Sequence, residues 1–322
     1  MSTHKNVFSI IAVLAFMSLG QTAHAIKLQK GLDDIKIVSA NKLSYKNNKT
    51  LLTGDVIIKV KDIYISSPNV SIEEKKKAEF TGSVNINSKD LDVVADRMEI
   101  DIKTGYITLF NAKSKIKDYK VDSDIQILHL EKGTFKAEAL EGSHVATSHE
   151  DINVSSESLD ALFEGDGENI NDLLQIKFEK NVIAEKEDSQ IIGNKLLIYP
   201  PVKQYRVIGD AMFINKKEKL LVEADFMNLE ENNVENKDYT LLATSNSESK
   251  KVKVLSEKRK LLANSRLARM WLKNNEVDKI VFTGASDVRL NDRKLEGEEI
   301  VLNNETKELI SNLDRPRAIL LK

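Results

Sequence analysis

The amino-acid sequence predicts an all-β protein. Three observations carry that expectation. A strand-and-turn unit recurs along the chain, apolar and polar residues alternate with period two after each turn, and no long stretch holds a helical period. The elements follow in chain order.

Lys5 precedes an apolar run from Val7 to Leu19, and Ala23-His24-Ala25 follows. A basic start, a 13-residue apolar run and a small-x-small site predict an export signal, residues 1–25, cleaved after Ala25. The run is short of the ~20 residues that span a bilayer. The mature chain would then begin at Ile26, outside the cytoplasm. A short helix is expected near Gly31 to Ile35.

Beyond that point the unit takes over. Its second half reads small–polar–polar–apolar, as in Ala40-Asn41-Lys42-Leu43, Ser67-Pro68-Asn69-Val70 and Ala95-Asp96-Arg97-Met98. It returns at Ser156, Gly193, Ala224 and Gly297, with imperfect copies at Ser123 and Asn264. The first intervals are 27, 28 and 28 residues, a period that marks stacked supersecondary units. The first half is a glycine with an apolar residue about two positions on: Gly54-Asp55-Val56, Gly82-Ser83-Val84, Gly209-Asp210-Ala211-Met212 and Gly284-Ala285-Ser286. Alternation then assigns Val56, Ile58 and Val60 to one strand face and Asp55, Lys59 and Lys61 to the other. Asn-, Asp- and Lys-rich clusters such as Lys46–Lys49 and Glu230–Asn233 supply turns. Lys258 to Asn274 is rich in helix formers, but its Arg269-Met270-Trp271-Leu272 ending fits the strand unit, and strand is the reading taken. Two boundaries are expected: the turn cluster Gly165–Asn169, and the polar, then basic stretch Thr244–Lys260, read as an exposed loop or strand connection.

Composition excludes several classes. The 322 residues carry 48 Lys+Arg and 50 Asp+Glu, a net charge of −2, which argues against a dedicated nucleic-acid binder. No cysteine is present, so disulfides and thiolate chemistry are excluded. Hydrophobic residues make up 41%, enough for a core. His144 and His149 are five apart, which puts them on opposite faces of a strand and argues against metal binding. No nucleophile elbow or phosphate-cradling glycine loop occurs, and the many carboxylates fall in turns and on outward faces. The recurring glycines precede strands, so their reading is backbone: strand starts, bulges or close approach. Lys75-Lys76-Lys77 reads as turn charge. No enzyme activity, cofactor or metal is expected.

The repeat resembles that of the LptA/OstA family of periplasmic lipopolysaccharide transport proteins. The resemblance rests on the Gly-x-x-Val strand followed by the small–Asp–x–apolar strand. It is closest from Asn264 to Leu321, through Phe282-Thr283-Gly284, Val288-Arg289-Leu290, Leu295–Ile300 and Arg315–Leu320; Leu51 to Ile72 resembles the family's opening strands. The resemblance implies an antiparallel two-sheet open jelly roll. The chain is long enough for two such units in tandem, 26–168 and 169–322.

It also implies a non-catalytic carrier that shields lipid A acyl chains in an apolar groove. On that basis the groove is expected to be lined by Val56, Ile58, Val84, Ile86, Met98, Ile100, Ile176, Phe178, Met212, Ile214, Val288, Leu290, Ile300 and Leu302. The implied partners are lipopolysaccharide, LptC-like inner-membrane and LptD-like outer-membrane proteins joined by edge-strand addition, and head-to-tail copies of the chain. A partner ATPase would drive movement. Edge strands are expected after Ile35 through Leu43, and from Ala318 to Lys322. Two readings from other classes stand beside this one. A secreted β-solenoid for structure or protein interaction would have a filled interior. A secreted carbohydrate-active enzyme would want a carboxylate pair in a cleft and aromatic platforms, and aromatics are only 6% of the chain.

Overall fold

The computed structural model describes residues 35–320 apart from 61–62, 74–76, 89–90, 102–103, 130–132, 166–169, 234–237, 247–250, 274–275, 305–307 and 312–316. The expected signal and the helix near Gly31 therefore lie outside the described residues, as does most of the Gly165–Asn169 cluster; Ile35 opens the first strand.

The described chain is strand throughout, save turns and one 3₁₀ turn at Pro200–Val202. In order, β1 is Ile35–Ser39, β2 Lys42–Lys46, β3 Lys49–Val60, β4 Ile63–Glu73, β5 Lys77–Asn87, β6 Leu91–Asp101, β7 Ile107–Ile116 and β8 Tyr119–His129. Then come β9 Thr134–Glu138, β10 Val145–His149, β11 Ile152–Ser156, β12 Ser158–Gly165, β13 Ile170–Lys186, β14 Ser189–Tyr199, β15 Gln204–Asn215 and β16 Leu220–Asn233. The chain closes with β17 Asp238–Thr244, β18 Val252–Ser256, β19 Leu261–Ser265, β20 Leu267–Lys273, β21 Glu276–Leu290, β22 Arg293–Asn303, β23 Glu308–Ser311 and β24 Arg317–Leu320. The Lys258–Asn274 stretch is strand, as read. Thr244–Lys260 is not all loop: it contains β18, whose Val252 and Val254 are fully buried beneath a polar-looking sequence.

Two compact units emerge. The first holds Met1–Glu150 and Glu157–Leu174, the second Asp151–Ser156 and Gln175–Lys322. Within each, long antiparallel strands pair with their sequence neighbours, and a bulge interrupts the ladder partway along. The register shifts at Thr53/Val56, Thr81/Val84, Glu179/Val182, Ile208/Ala211 and Thr283/Ser286. At each shift two successive residues have positive φ, among them Gly54-Asp55 (80° and 50°) and Gly209-Asp210 (78° and 47°). Glycine takes the first place at four of the five, because a side chain there costs roughly 1–2 kcal/mol in backbone strain; Lys180 takes it at the Glu179/Val182 shift.

The bulges break each long strand into two half-strands. In unit 1, residues 49–53 of β3 pair with β2 and 69–73 of β4, while 56–60 pair with β1 and 63–67 of β4. In unit 2, residues 211–215 of β15 pair with 220–224 of β16, which β18 and β19 extend toward 287–290 of β21. Residues 204–208 pair with 226–230, which β17 and β20 extend toward 276–283 of β21. Each unit is thus two half-sheets sharing their strands, with the bulges along the corner between them.

The two halves of the sequence repeat meet at that corner. Asn41 lies against Gly54, Pro68 against Gly82, Asn194 against Gly209 and Arg266 against Gly284. Asn41 N–H donates to Thr53 O and Gly54 O at 3.1 and 3.0 Å; Arg266 N–H does the same to Thr283 O and Gly284 O at 3.2 and 3.1 Å. Ala285 N–H donates to Glu298 Oε2 at 3.2 Å. The corner's orphaned backbone groups are satisfied by residues of the adjacent strands in the same unit.

Candidate functional site

Rows of buried side chains run across the strands inside each half-sheet. In unit 1, Leu52, Val70, Phe80, Met98, Leu109, Gln126, Ala137 and Leu159 are successive cross-strand partners, all buried. On the other half-sheet Ile58, Ile65, Ile86 and Val93 continue through Ser114 and Val121 to Thr147. Gln126 breaks the apolar character of its row. Fully buried, it accepts a hydrogen bond from Ser114 Oγ and donates from Nε2 to Ala112 O and Val121 O at 2.8 and 3.2 Å, all three on the opposite half-sheet.

In unit 2 the corresponding row is Phe178, Leu196, Val207, Met227, Ala243, Ala268, Phe282 and Ile300. Facing it are Val154, Ala184, Ile191, Phe213, Val222, Val254, Ala263 and Val288. A row of eight strands at about 4.8 Å each is on the order of 30 Å long.

A cavity of about 80 Å³ opens between these half-sheets. Ile152, Ala184, Ile191 and Phe213 line it from one side; Leu196, Ile198, Tyr205, Leu229 and Leu272 line it from the other. Glu185, Lys186, Glu187, Ser189, Asn215 and Tyr239 add polar atoms. Burial pushes the Tyr239 phenol well above its usual range, with Glu231 adding to the effect, so the hydroxyl stays protonated as a donor. A cavity of ~150 Å³ is what holds a benzene in engineered cores, so this space is too small for a hydrocarbon chain unless the half-sheets part.

The groove residues expected from sequence fall in two groups. Val56, Ile58, Val84, Ile86, Met98, Ile176, Phe178, Val288, Ile300 and Leu302 are buried in the rows or beside them. Ile100, Met212, Ile214 and Leu290 are only half-buried. On β15 the buried side chains are Val207, Ala211, Phe213 and Asn215. Period two keeps its phase through the bulge at Gly209-Asp210, so the residue two after the glycine is buried in step with Val207, as Val56, Val84 and Ser286 are buried at the same place. Reading the strand from Met212 misses this by one position.

The sequence reading also missed a charged cluster. Glu218, in the turn 216–219, has no exposed side-chain surface. It accepts from Lys258 Nζ at 2.6 Å and pairs with Arg259 Nη1. Burial pushes the Glu218 carboxyl up, but hydrogen bonds from Lys258 and Arg259 outweigh it and hold the carboxyl below its usual value. Lys216-Lys217-Glu218-Lys219 looks like solvated turn charge, and nothing local marks the acid as buried. His144 and His149 form no cluster of three metal-ligating groups among the described residues; His149 stacks on Tyr119 at 4.0 Å between ring centroids.

Residues 37–134 match the family described as LptA/(LptD N-terminal domain) LPS transport protein. The chain is similar to the solved LptH, "the LptA homologous periplasmic component of the conserved lipopolysaccharide transport device from Pseudomonas aeruginosa", at 13% identity, with 53% of this chain and 94% of that chain covered and a TM-score of 0.20. A second likeness is to the WD40 domain of SCAP from fission yeast, at 9% identity, with 90% and 87% covered and a TM-score of 0.14. Superpositions this loose carry no inference. No curated protein sequence matches the chain.

Proposed function

We propose that this chain is a non-catalytic periplasmic carrier of lipopolysaccharide. The match of residues 37–134 to a lipopolysaccharide-transport family, on strands whose inward faces are largely apolar rows, carries the reading. Each methylene removed from water is worth ~0.8 kcal/mol, so several acyl tails cannot cross an aqueous compartment uncovered. Non-directional contacts from aliphatic rows suit tails of varied shape. Each unit would act as an open jelly roll, the two in tandem, following export and cleavage after Ala25.

Bridging to LptC-like and LptD-like partners, or to further copies, would use the terminal edges. Among the described pairings β1 and β2 each pair with β3 alone, and β24 with β22 alone. Leu43 and Tyr45 on β2 are exposed apolar groups beside that edge.

Photo-crosslinkers at Ile58, Phe80, Phe213 and Ile300, with outward Lys59 and Glu99 as controls, test the carrier reading against labelled lipopolysaccharide. Adducts at the inner positions alone are expected; equal labelling everywhere, or none, removes it. A structural module with a filled interior is the second reading, favoured by the small cavity, and it predicts that no lipid copurifies with the chain.

A further inference from the structure

The free ends of the two half-sheets of unit 2 are tied together, and the tie is ionic. Turns 216–219 and 257–260 end hairpins of one half-sheet; β20 and β21 begin and end the hairpin of the other around residues 273–276. Glu218 is the hub. Its carboxylate takes Lys258 Nζ at 2.6 Å and Arg259 Nη1, and its own N–H donates to Asn215 Oδ1 at 2.9 Å. Arg259 then crosses to the second half-sheet, donating from Nη2 to Val277 O at 3.3 Å. Beside it, Lys217 Nζ reaches Glu276 at 3.2 Å.

The tie sits at the cavity. Asn215, which holds the Glu218 turn, lines it, and so does Leu272, the cross-strand partner of Val277. At the other end of the same strands lie the corner bulges at 209–210 and 284–285. The corner bulges lie at one end, the ion pairs at the other, and a largely apolar space between.

The chemistry of the fastening suits repeated opening. A buried ion pair roughly balances desolvation against attraction, so it stabilises the closed state modestly. On opening, its charges gain water, whereas an apolar seam would expose oil. Arg259 Nε finds no hydrogen-bond acceptor among the described residues, a cost that opening relieves.

We infer that Glu218, Lys258 and Arg259, with Lys217 and Glu276, form a clasp that holds the half-sheets of unit 2 shut, and that release of this clasp admits a hydrocarbon chain into the cavity. The inference rests on the carrier reading, and supplies the opening that an 80 Å³ cavity requires.

The absence of cysteine makes the test clean. Lys217 and Glu276 are about half exposed, so a Lys217→Cys/Glu276→Cys variant of the full chain can be bridged by a short bis-maleimide or capped with N-ethylmaleimide. Trp271, the one tryptophan of the chain, lies on β20 of unit 2 and serves as energy-transfer donor to lipopolysaccharide bearing a dansyl-labelled acyl chain. Capped protein should load faster than unmodified protein, and bridged protein several-fold slower than capped. Lys258→Gln, at a half-exposed position, should load faster with its melting transition retained. Equal rates for bridged and capped protein overturn the clasp and leave the carrier reading standing. No loading by the unmodified chain overturns both.

Discussion

Gly54 and Asn41 meet so closely that a Cβ on the glycine would lie 2.5 Å from Asn41 Nδ2. The contact joins the two halves of the sequence repeat, and it recurs where Asn194 meets Gly209 and Arg266 meets Gly284. The corner between half-sheets is therefore a specific side-chain contact on a positive-φ backbone.

Gly54→Ala should destabilise unit 1 by about 2–4 kcal/mol, combining left-handed strain with the clash. Adding Asn41→Gly should return the clash portion and leave the strain. Urea denaturation of the four-member cycle measures this. An equal loss from Gly54→Ala in both backgrounds would show that the contact does not matter.

Glu218→Gln should cost unit 2 roughly 2–4 kcal/mol, held toward the low side because Lys258 reaches water. The same carboxyl predicts a pH dependence. Its folded-state pKa lies below the ordinary value of 4.5, so its contribution is complete above that value. It is lost as pH falls through the lower folded value. The gap in denaturation midpoint between native chain and variant should be constant near neutrality and close in acid; a gap independent of pH would refute the sign.

Gln126→Leu should destabilise unit 1 by about 1–3 kcal/mol, since Ser114 loses a buried partner and two carbonyls lose a donor. Pairing it with Ser114→Ala should cost less than the sum of the single changes. Strict additivity would separate the two side chains energetically.

Leu43→Lys with Tyr45→Lys should weaken self-association through the β1–β2 edge, because charge on an edge strand opposes strand addition. Sedimentation velocity over a range of concentrations reads it. Unchanged association would move the contact elsewhere.

Much of the architecture was legible because its causes are local. Alternation at Val56–Ile58 or Leu91–Ala95 records which side chains leave water, and Gly-Asp and Gly-Ser mark where the ladder breaks. The inward face of β15 was not legible, since the small Ala211 and the polar Asn215 are buried while the more apolar-looking Met212 and Ile214 are only half-buried. Nor was the fate of Glu218, whose partner Lys258 lies 40 residues away.

From its residues alone this chain is a stack of half-buried strands with a strand start, bulge or close approach at recurring glycines, because hydrophobic period and backbone freedom are properties of a few adjacent residues. Only the tertiary structure decided that the repeat's two halves touch, that one acid in a lysine-rich turn is fully buried, and that a cavity of about 80 Å³ lies between the half-sheets of unit 2. Those outcomes depend on which distant segments are brought within a few ångströms, and packing at that distance is set by the whole unit.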